Sequence, residues 1–169
     1  MFRCFMPHYA FSHFFEVSAG FLTQIGVSAL VLDIDNTLVP YEEAVPNPTV
    51  LSWFDELRSA GISFAFVSNN NAARVERFNA DVGAPAYFKS GKPGIKYIRA
   101  AMEQMGAVPD HTMLIGDQLF TDVWAGRRAG LLTCVVPPIR DKRDLFTRFK
   151  RVLERPIMRR FRKLKGEEG

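Results

Sequence analysis

Short apolar runs alternate with helical patterns through most of this chain, and that alternation restricts the fold more than any other feature. Residues 29–32 (Ala-Leu-Val-Leu) read as a buried strand that stops at acidic and turn residues. Pro46-Asn47-Pro48 then opens a helix with Val50, Leu51, Phe54 and Leu57 on one face, and Gly61 follows its end. A strand over 62–67 leads into the polar turn Ser68-Asn69-Asn70-Asn71, a helix over 72–80 and a short strand at 86–88. Lys92-Pro93-Gly94 precedes a helix bearing Ile95, Ile98, Ala101, Met102 and Met105. A strand at 112–115, a helix over 123–129 and a strand at 131–136 complete the series. Strand–helix alternation predicts an α/β fold, a parallel sheet with helices on both faces, and such sheets place their sites at the carboxyl ends of the strands.

Composition sets the remaining bounds. A chain of 169 residues that is 47% hydrophobic is about one domain long and can bury a core. Its two cysteines, Cys4 and Cys134, form neither a disulfide framework nor a zinc-ligand spacing, and are read as small core hydrophobes in a reducing compartment. No apolar run approaches the roughly 20 residues of a membrane-spanning helix, and the Phe-rich start is broken by Pro7, His8, His13 and Glu16, unlike a signal peptide. That start is expected either to pack as core or to touch lipid. The net charge of +4 divides unevenly: residues 139–169 carry +7 and residues 1–138 carry −3. The chain is therefore read as a core over 1–138 followed by a basic amphipathic tail over 139–169.

The residues that follow the strands carry the chemistry. Asp33 and Asp35 stand two apart just beyond the first strand, where extended chain points both the same way. Two close carboxylates repel unless a cation or shared proton intervenes, and a hard divalent ion such as Mg²⁺ with oxygen ligands satisfies them. The ordinary alternative is a pair of solvated turn aspartates. Asp117 and Asp122 follow another strand; metal binding suits Asp117, whereas Asp122 could equally cap the next helix, as could Thr121. Ser68-Asn69 could be a plain turn. Lys92, or its rival Lys89, stands in a loop entering a helix, a place where phosphate binds.

The order of these signals, acid pair, hydroxyl, lysine, acid pair, resembles the haloacid dehalogenase-like (HAD) superfamily over about residues 29–136. The runs Asp33-Ile34-Asp35-Asn36-Thr37-Leu38-Val39-Pro40, Val67-Ser68-Asn69-Asn70-Asn71 and Gly116-Asp117-Gln118-Leu119-Phe120-Thr121-Asp122-Val123 are similar to the YqeG family of HAD subfamily IIIA. The likeness continues at Phe146-Thr147-Arg148-Phe149 and Leu153-Glu154-Arg155. It implies a Rossmann-like phosphatase in which Asp33 is the nucleophile that forms an aspartyl-phosphate. Asp35 is then general acid and base, an acid here arguing against the superfamily's ion-pumping ATPases, which carry Thr. Mg²⁺ is held by the Asp33 carboxylate, the Asp35 backbone carbonyl and Asp117, while Ser68, Asn69 and Lys92 hold phosphate. Thr37 braces the nucleophile loop and Asp122 orients Lys92 or the metal waters. The family also includes mitochondrial-type phosphatidylglycerophosphate phosphatases, which makes a phospholipid head group the expected substrate.

About thirty residues separate Thr37 from Ser68, and fewer separate Ser68 from Lys92, so there is no room for a cap domain. An open site suits a phosphate displayed on a large object. In the tail, Leu145, Phe149, Val152, Leu153, Ile157, Phe161 and Leu164 recur at helical spacing among basic residues, with Pro156 expected to kink the helix. Such a helix either lies in an anionic membrane interface or packs its apolar stripe on the core. Nucleic acid is not the expected partner, since no RNA-binding module is present. The chain thus reads as a cytoplasmic, Mg²⁺-dependent phosphomonoesterase, peripheral to the membrane. The competing readings are a phosphatase for soluble sugar or nucleotide phosphates and a non-catalytic phosphate-sensing scaffold.

Overall fold

The computed structural model describes residues 3–140 and 145–165, with side chains described for 4–140 and 153–164. Six strands, β1 (Tyr9–Ala10), β2 (Ala29–Leu32), β3 (Ser63–Val67), β4 (Ala86–Tyr87), β5 (Thr112–Gly116) and β6 (Leu132–Val135), form one parallel sheet in the order β1-β6-β5-β2-β3-β4. The helices are α1 (Ala19–Gln24), α2 (Pro48–Ser59), α3 (Ala72–Asn79), α4 (Lys96–Met105), α5 (Trp124–Ala129) and α6 (Leu145–Lys165). This is the α/β architecture that the alternation predicts.

The pleat explains why both faces are covered. Along β2, β3 and β5, Leu30, Leu32, Phe64, Phe66, Met113 and Ile115 join one buried cluster with the apolar residues of α1, α2 and α3. The intervening Val31, Ala65, Val67 and Leu114 join a second cluster with α4 and α5. Side chains at successive positions leave opposite faces of a strand, so a strand apolar at every position must be buried twice. Asn47 caps α2 by accepting from the Val50 N–H, with Pro48 in its first turn, and Asn71 caps α3 in the same way through the Arg74 N–H. The segments between Thr37 and Lys92 hold only α2, β3, α3 and β4, and no cap domain is inserted there.

Several expectations are corrected. The buried face of α2 consists of Val50, Trp53, Phe54 and Leu57, while Leu51 is exposed. Cys134 is buried in the core as expected, but Cys4 is exposed. The Phe-rich start takes the core-packing alternative expected of it: Tyr9 and Ala10 pair with Cys134 and Val135 of β6, and Phe14 and Val17 enter the main core. Neither Thr121 nor Asp122 caps a helix; both lie within a single π-helical turn, Leu119–Val123, that runs directly into α5.

The C-terminal helix continues through Pro156 without a break. Ile157 and Phe161 are buried against Met6, Leu119, Val123 and Val135, whereas Leu153 and Leu164 are exposed. The side chains of Leu145, Phe149 and Val152 lie outside the described residues. Glu154 of α6 accepts the Leu119 N–H at 3.0 Å, so the helix also satisfies the first backbone donor of the π turn. Among the described residues no helix is long and apolar enough to cross a membrane.

Candidate active site

The sheet order reverses at β2: the chain proceeds outward to β3 and β4 on one side and to β5 and β6 on the other. A crevice therefore opens at the carboxyl ends of β2, β3 and β5. Asp33 follows β2 and extends its ladder by donating its N–H to the Ile115 carbonyl at 3.0 Å. Ser68 follows β3 and Asp117 follows β5. Asn36, at a positive φ of 62°, turns the chain back, and its N–H donates to the Val39 carbonyl at 2.8 Å.

Lys92 links the acidic groups. Its Nζ lies 2.8 Å from Asp33 Oδ1 and 2.7 Å from Asp122 Oδ1, and its side chain is 2% exposed. Lys89, the rival in sequence, is exposed. Asp122 Oδ2 accepts from the Gln118 N–H at 3.1 Å and from the Thr121 hydroxyl at 3.4 Å. The close approach of Asp122 to the end of β5 requires glycine at 116, since any Cβ there would collide with the Asp122 carboxylate.

Asn69 uses its Oδ1 to accept from the Lys92 N–H and the Ser90 hydroxyl, both at 2.8 Å, and its Nδ2 to donate to the Lys92 carbonyl at 3.1 Å. Its amide thus braces the lysine loop, while the side chain also lines the site cavity. Ser68 Oγ accepts the Asn70 N–H at 3.1 Å and is buried. The Thr37 hydroxyl is 3.4 Å from Asp33 Oδ2, a long contact.

Electrostatics single out a cation site. Carboxylate oxygens of Asp33, Asp117 and Asp122 lie within 4.8 Å of one another. Burial raises the Asp33 carboxyl to about 6, with Lys92 opposing and Asp122 and Asp35 adding to the rise. Burial likewise lifts Asp117 well above the ordinary carboxylate range, reinforced by the charges of Asp122 and Asp33. Burial disfavours the charge on Lys92, yet the carboxylates of Asp122 and Asp33 hold its ammonium above the ordinary lysine value. One ammonium faces three carboxylates, and Asp117 Oδ1 is buried without a hydrogen-bond partner. A divalent cation would supply both the missing charge and the missing partner, so this oxygen-rich set fits a hard metal ion.

Two residues of the site were not anticipated. Asp35 Oδ1 is 3.0 Å from both Nε and Nη2 of Arg74, and Asp35 Oδ2 accepts from Asn70 Nδ2 at 2.9 Å. The available hint was that Arg74 places a cation in the first turn of a helix, against the helix dipole. Asp33, Asp35, Ser68, Asn70, Lys92 and Asp122 line a cavity of about 280 Å³, with Tyr41 exposed at its edge.

A doubly covered parallel sheet with a carboxylate–lysine cluster at its strand ends defines a hydrolase of the haloacid dehalogenase type. The haloacid dehalogenase-like hydrolase family matches residues 7–130, and the chain belongs to that family. Within it the chain is 35% identical over 156 residues to the probable phosphatase YqeG of Bacillus subtilis, spanning 92% of this chain and 91% of that one. It is a member of the YqeG family and a phosphatase of the HAD superfamily. A 49-residue stretch is 47% identical to the ribonucleotide monophosphatase NagD of Escherichia coli, covering 29% of this chain and 20% of NagD.

Solved structures agree on the fold. A HAD-superfamily hydrolase from Ehrlichia chaffeensis superposes with a TM-score of 0.55 at 16% identity, over 76% of this chain and 98% of that one. The cobalt-bound deoxy-D-mannose-octulosonate 8-phosphate phosphatase YrbI of Haemophilus influenzae gives 0.53 at 19% identity, over 64% and 67%.

Proposed function

We propose that this phosphatase hydrolyses phosphomonoesters with Mg²⁺ through an aspartyl-phosphate on Asp33, and that phosphatidylglycerophosphate is its substrate. The observation that carries the mechanism is the buried Asp33 carboxylate, held 2.8 Å from Lys92 Nζ beside the orphaned Asp117 oxygen. In the first half-reaction an Asp33 oxygen attacks phosphorus and the bond to the leaving oxygen breaks as Asp35 gives that oxygen its proton. In the second, water attacks phosphorus, Asp35 takes a water proton, and the bond to Asp33 breaks. Lys92, with the Ser68 hydroxyl and loop amides, stabilises the equatorial phosphoryl oxygens, and Asp122 holds the Lys92 ammonium in place. Asp33, Asp117 and the Asp35 backbone carbonyl would hold Mg²⁺, whose charge, when bound, neutralises the phosphoryl oxygens. The resemblance supplies these roles, and the geometry is compatible with each.

Three observations support a lipid substrate. The site has no cap. A groove of about 430 Å³ beside Asp117 is lined by Phe11, Pro137, Met158 and Phe161, with Arg162 and the carboxylates Glu16 and Glu154 among them, and offers apolar walls to an amphiphile. Finally, Arg155, Arg159, Arg160, Arg162 and Lys163 are exposed on α6 while Ile157 and Phe161 are committed to the core. A cytoplasmic protein would meet an anionic leaflet through this charged face rather than by inserting the apolar stripe.

The decisive assay compares Pi release, with Mg²⁺, from micellar phosphatidylglycerophosphate and from a panel of soluble sugar and nucleotide phosphates. Higher kcat/KM on the lipid is expected; release confined to soluble substrates would remove the lipid reading and leave a small-molecule phosphatase. Replacing Arg155, Arg159, Arg160 and Arg162 by Gln should weaken binding to phosphatidylglycerol vesicles at least about tenfold, at roughly 1 kcal/mol per basic residue near the surface. Unchanged sedimentation with vesicles would sink the membrane contact.

A further inference from the structure

Asp35 is fixed by side chains from a different part of the chain. Arg74, in the first turn of α3, brings Nε and Nη2 to 3.0 Å from Asp35 Oδ1, and Nη1 donates to the Ala44 carbonyl at 3.0 Å. Its guanidinium lies 5.8 Å from the Phe78 ring centre, and the side chain is 11% exposed. Nε and Nη1 thus donate to protein oxygens, while Nη2 is ion-paired with Asp35 Oδ1 without completing a hydrogen bond, so the guanidinium is turned toward Asp35. Asp35 Oδ2 is shared with the neutral amide of Asn70 at 2.9 Å.

A cation buried at a helix N-terminus is locally unfavourable twice over, through desolvation and through the dipole. Such a conflict with local preference marks a functional constraint. We propose that Arg74 is a positioning residue for proton transfer: it grips Oδ1 of Asp35 with two nitrogens and leaves Oδ2, beside the Asn70 amide, as the oxygen that carries the proton to the leaving group. The proposal rests on the reading of Asp35 as the general acid. A carboxylic acid keeps Oδ1 as an acceptor for Arg74 while Oδ2–H donates, so the pair need not break during the step. Proton transfer demands hydrogen-bond reach to the leaving oxygen, and a misplacement of about 1 Å costs on the order of 10²-fold.

The test is the dependence of kcat on leaving-group basicity, measured with saturating Mg²⁺ on a series from p-nitrophenyl phosphate to simple alkyl phosphates. An acidic phenol needs little protonation; an alkoxide needs it fully. Asp35→Asn reports on the underlying reading: its kcat should fall steeply as the leaving group becomes more basic. Arg74→Ala should follow the same trend, losing about 30- to 100-fold on alkyl phosphates but less than about threefold on p-nitrophenyl phosphate. Arg74→Lys, with charge but no fork, should recover part of the alkyl activity. Arg74→Gln, which keeps stem and donor, gives the same reading should the alanine variant fail to fold. Equal losses across the series, or none, in a folded Arg74→Ala or Arg74→Gln overturn the positioning role. A flat profile in Asp35→Asn instead overturns the general-acid reading, and the inference with it.

Discussion

Asp33→Asn is expected to lower phosphate release by at least about 10⁴-fold, because an amide oxygen cannot displace an alkoxide from phosphorus. The loss should lie in kcat and appear on every phosphomonoester, whatever its leaving group. Much of the binding apparatus should survive, since Lys92 retains Asp122 at 2.7 Å and Ser68 lies at the end of a different strand, β3. Equilibrium binding of a phosphomonoester should therefore stay within about an order of magnitude of wild type while turnover vanishes. Acid quench of wild-type protein during turnover should trap phosphate on the chain, and the Asn variant should trap none. Substantial residual hydrolysis in a folded Asp33→Asn, judged by circular dichroism, would remove Asp33 as nucleophile.

The second large effect separates stability from activity. Asp117→Asn should abolish at least about 10³-fold of the Mg²⁺-supported activity yet raise the melting temperature of the metal-free protein. The charge it deletes is buried, faces the carboxylates of Asp33 and Asp122, and leaves Oδ1 without a partner. Relief of that repulsion is worth on the order of 1–3 kcal/mol, or several degrees in Tm. Added Mg²⁺ should stabilise wild type and do much less for the variant, because under the proposed mechanism only the native cluster would bind the ion. A metal-free Asp117→Asn less stable than wild type, with Mg²⁺ stabilising both equally, would place the cation elsewhere.

The same cluster sets a pH dependence with a definite sign. The Asp33 carboxyl stands at about 6 in the folded chain against an ordinary 3.8, so the folded state binds its proton more tightly than the unfolded state does. Its contribution to stability is complete below pH 3.8 and is lost as pH rises through about 6. Asp117 is shifted in the same direction. Metal-free wild type should lose stability relative to Asp33→Asn as pH rises across this window. Saturating Mg²⁺ should flatten the difference, since an ion held by the proposed cluster would compete with protons for the same oxygens. A wild-type protein that instead gains on Asp33→Asn across the window would contradict the upward shift that burial imposes on this carboxyl.

The C-terminal helix illustrates how a sequence pattern can have two solutions. An apolar stripe among arginines satisfies a membrane interface and a protein core equally well, since both accept one apolar face and one charged face. Burial of Ile157 and Phe161 commits part of that stripe to the core, and Glu154 ties the helix to the loop that carries Asp122. The helix consequently shares its footing with the active-site loop.

Local chemistry along the chain was enough to place the sheet, the order of its elements and the strand ends where Asp33, Ser68, Lys92 and Asp117 stand. Strand burial is written in uninterrupted apolar runs, and residues just beyond those runs face the crevice whatever the details of packing. The two-residue strand β1 escaped notice because it is too short to show a period; only its pairing of Tyr9 with Cys134, far away in sequence, makes it a strand. Leu51 is exposed and Trp53, for which no role was expected, is buried, because helical spacing defines a face but not which edge of it meets the sheet. Lys92 prevailed over Lys89 by reach, through a loop that the Asn69 side chain pins. Arg74 and Asn70 act on Asp35 only because α3 starts where β3 ends, alongside the end of β2. Contacts of that kind depend on which strands become neighbours, and long-range pairing decides that rather than any property of the residues concerned.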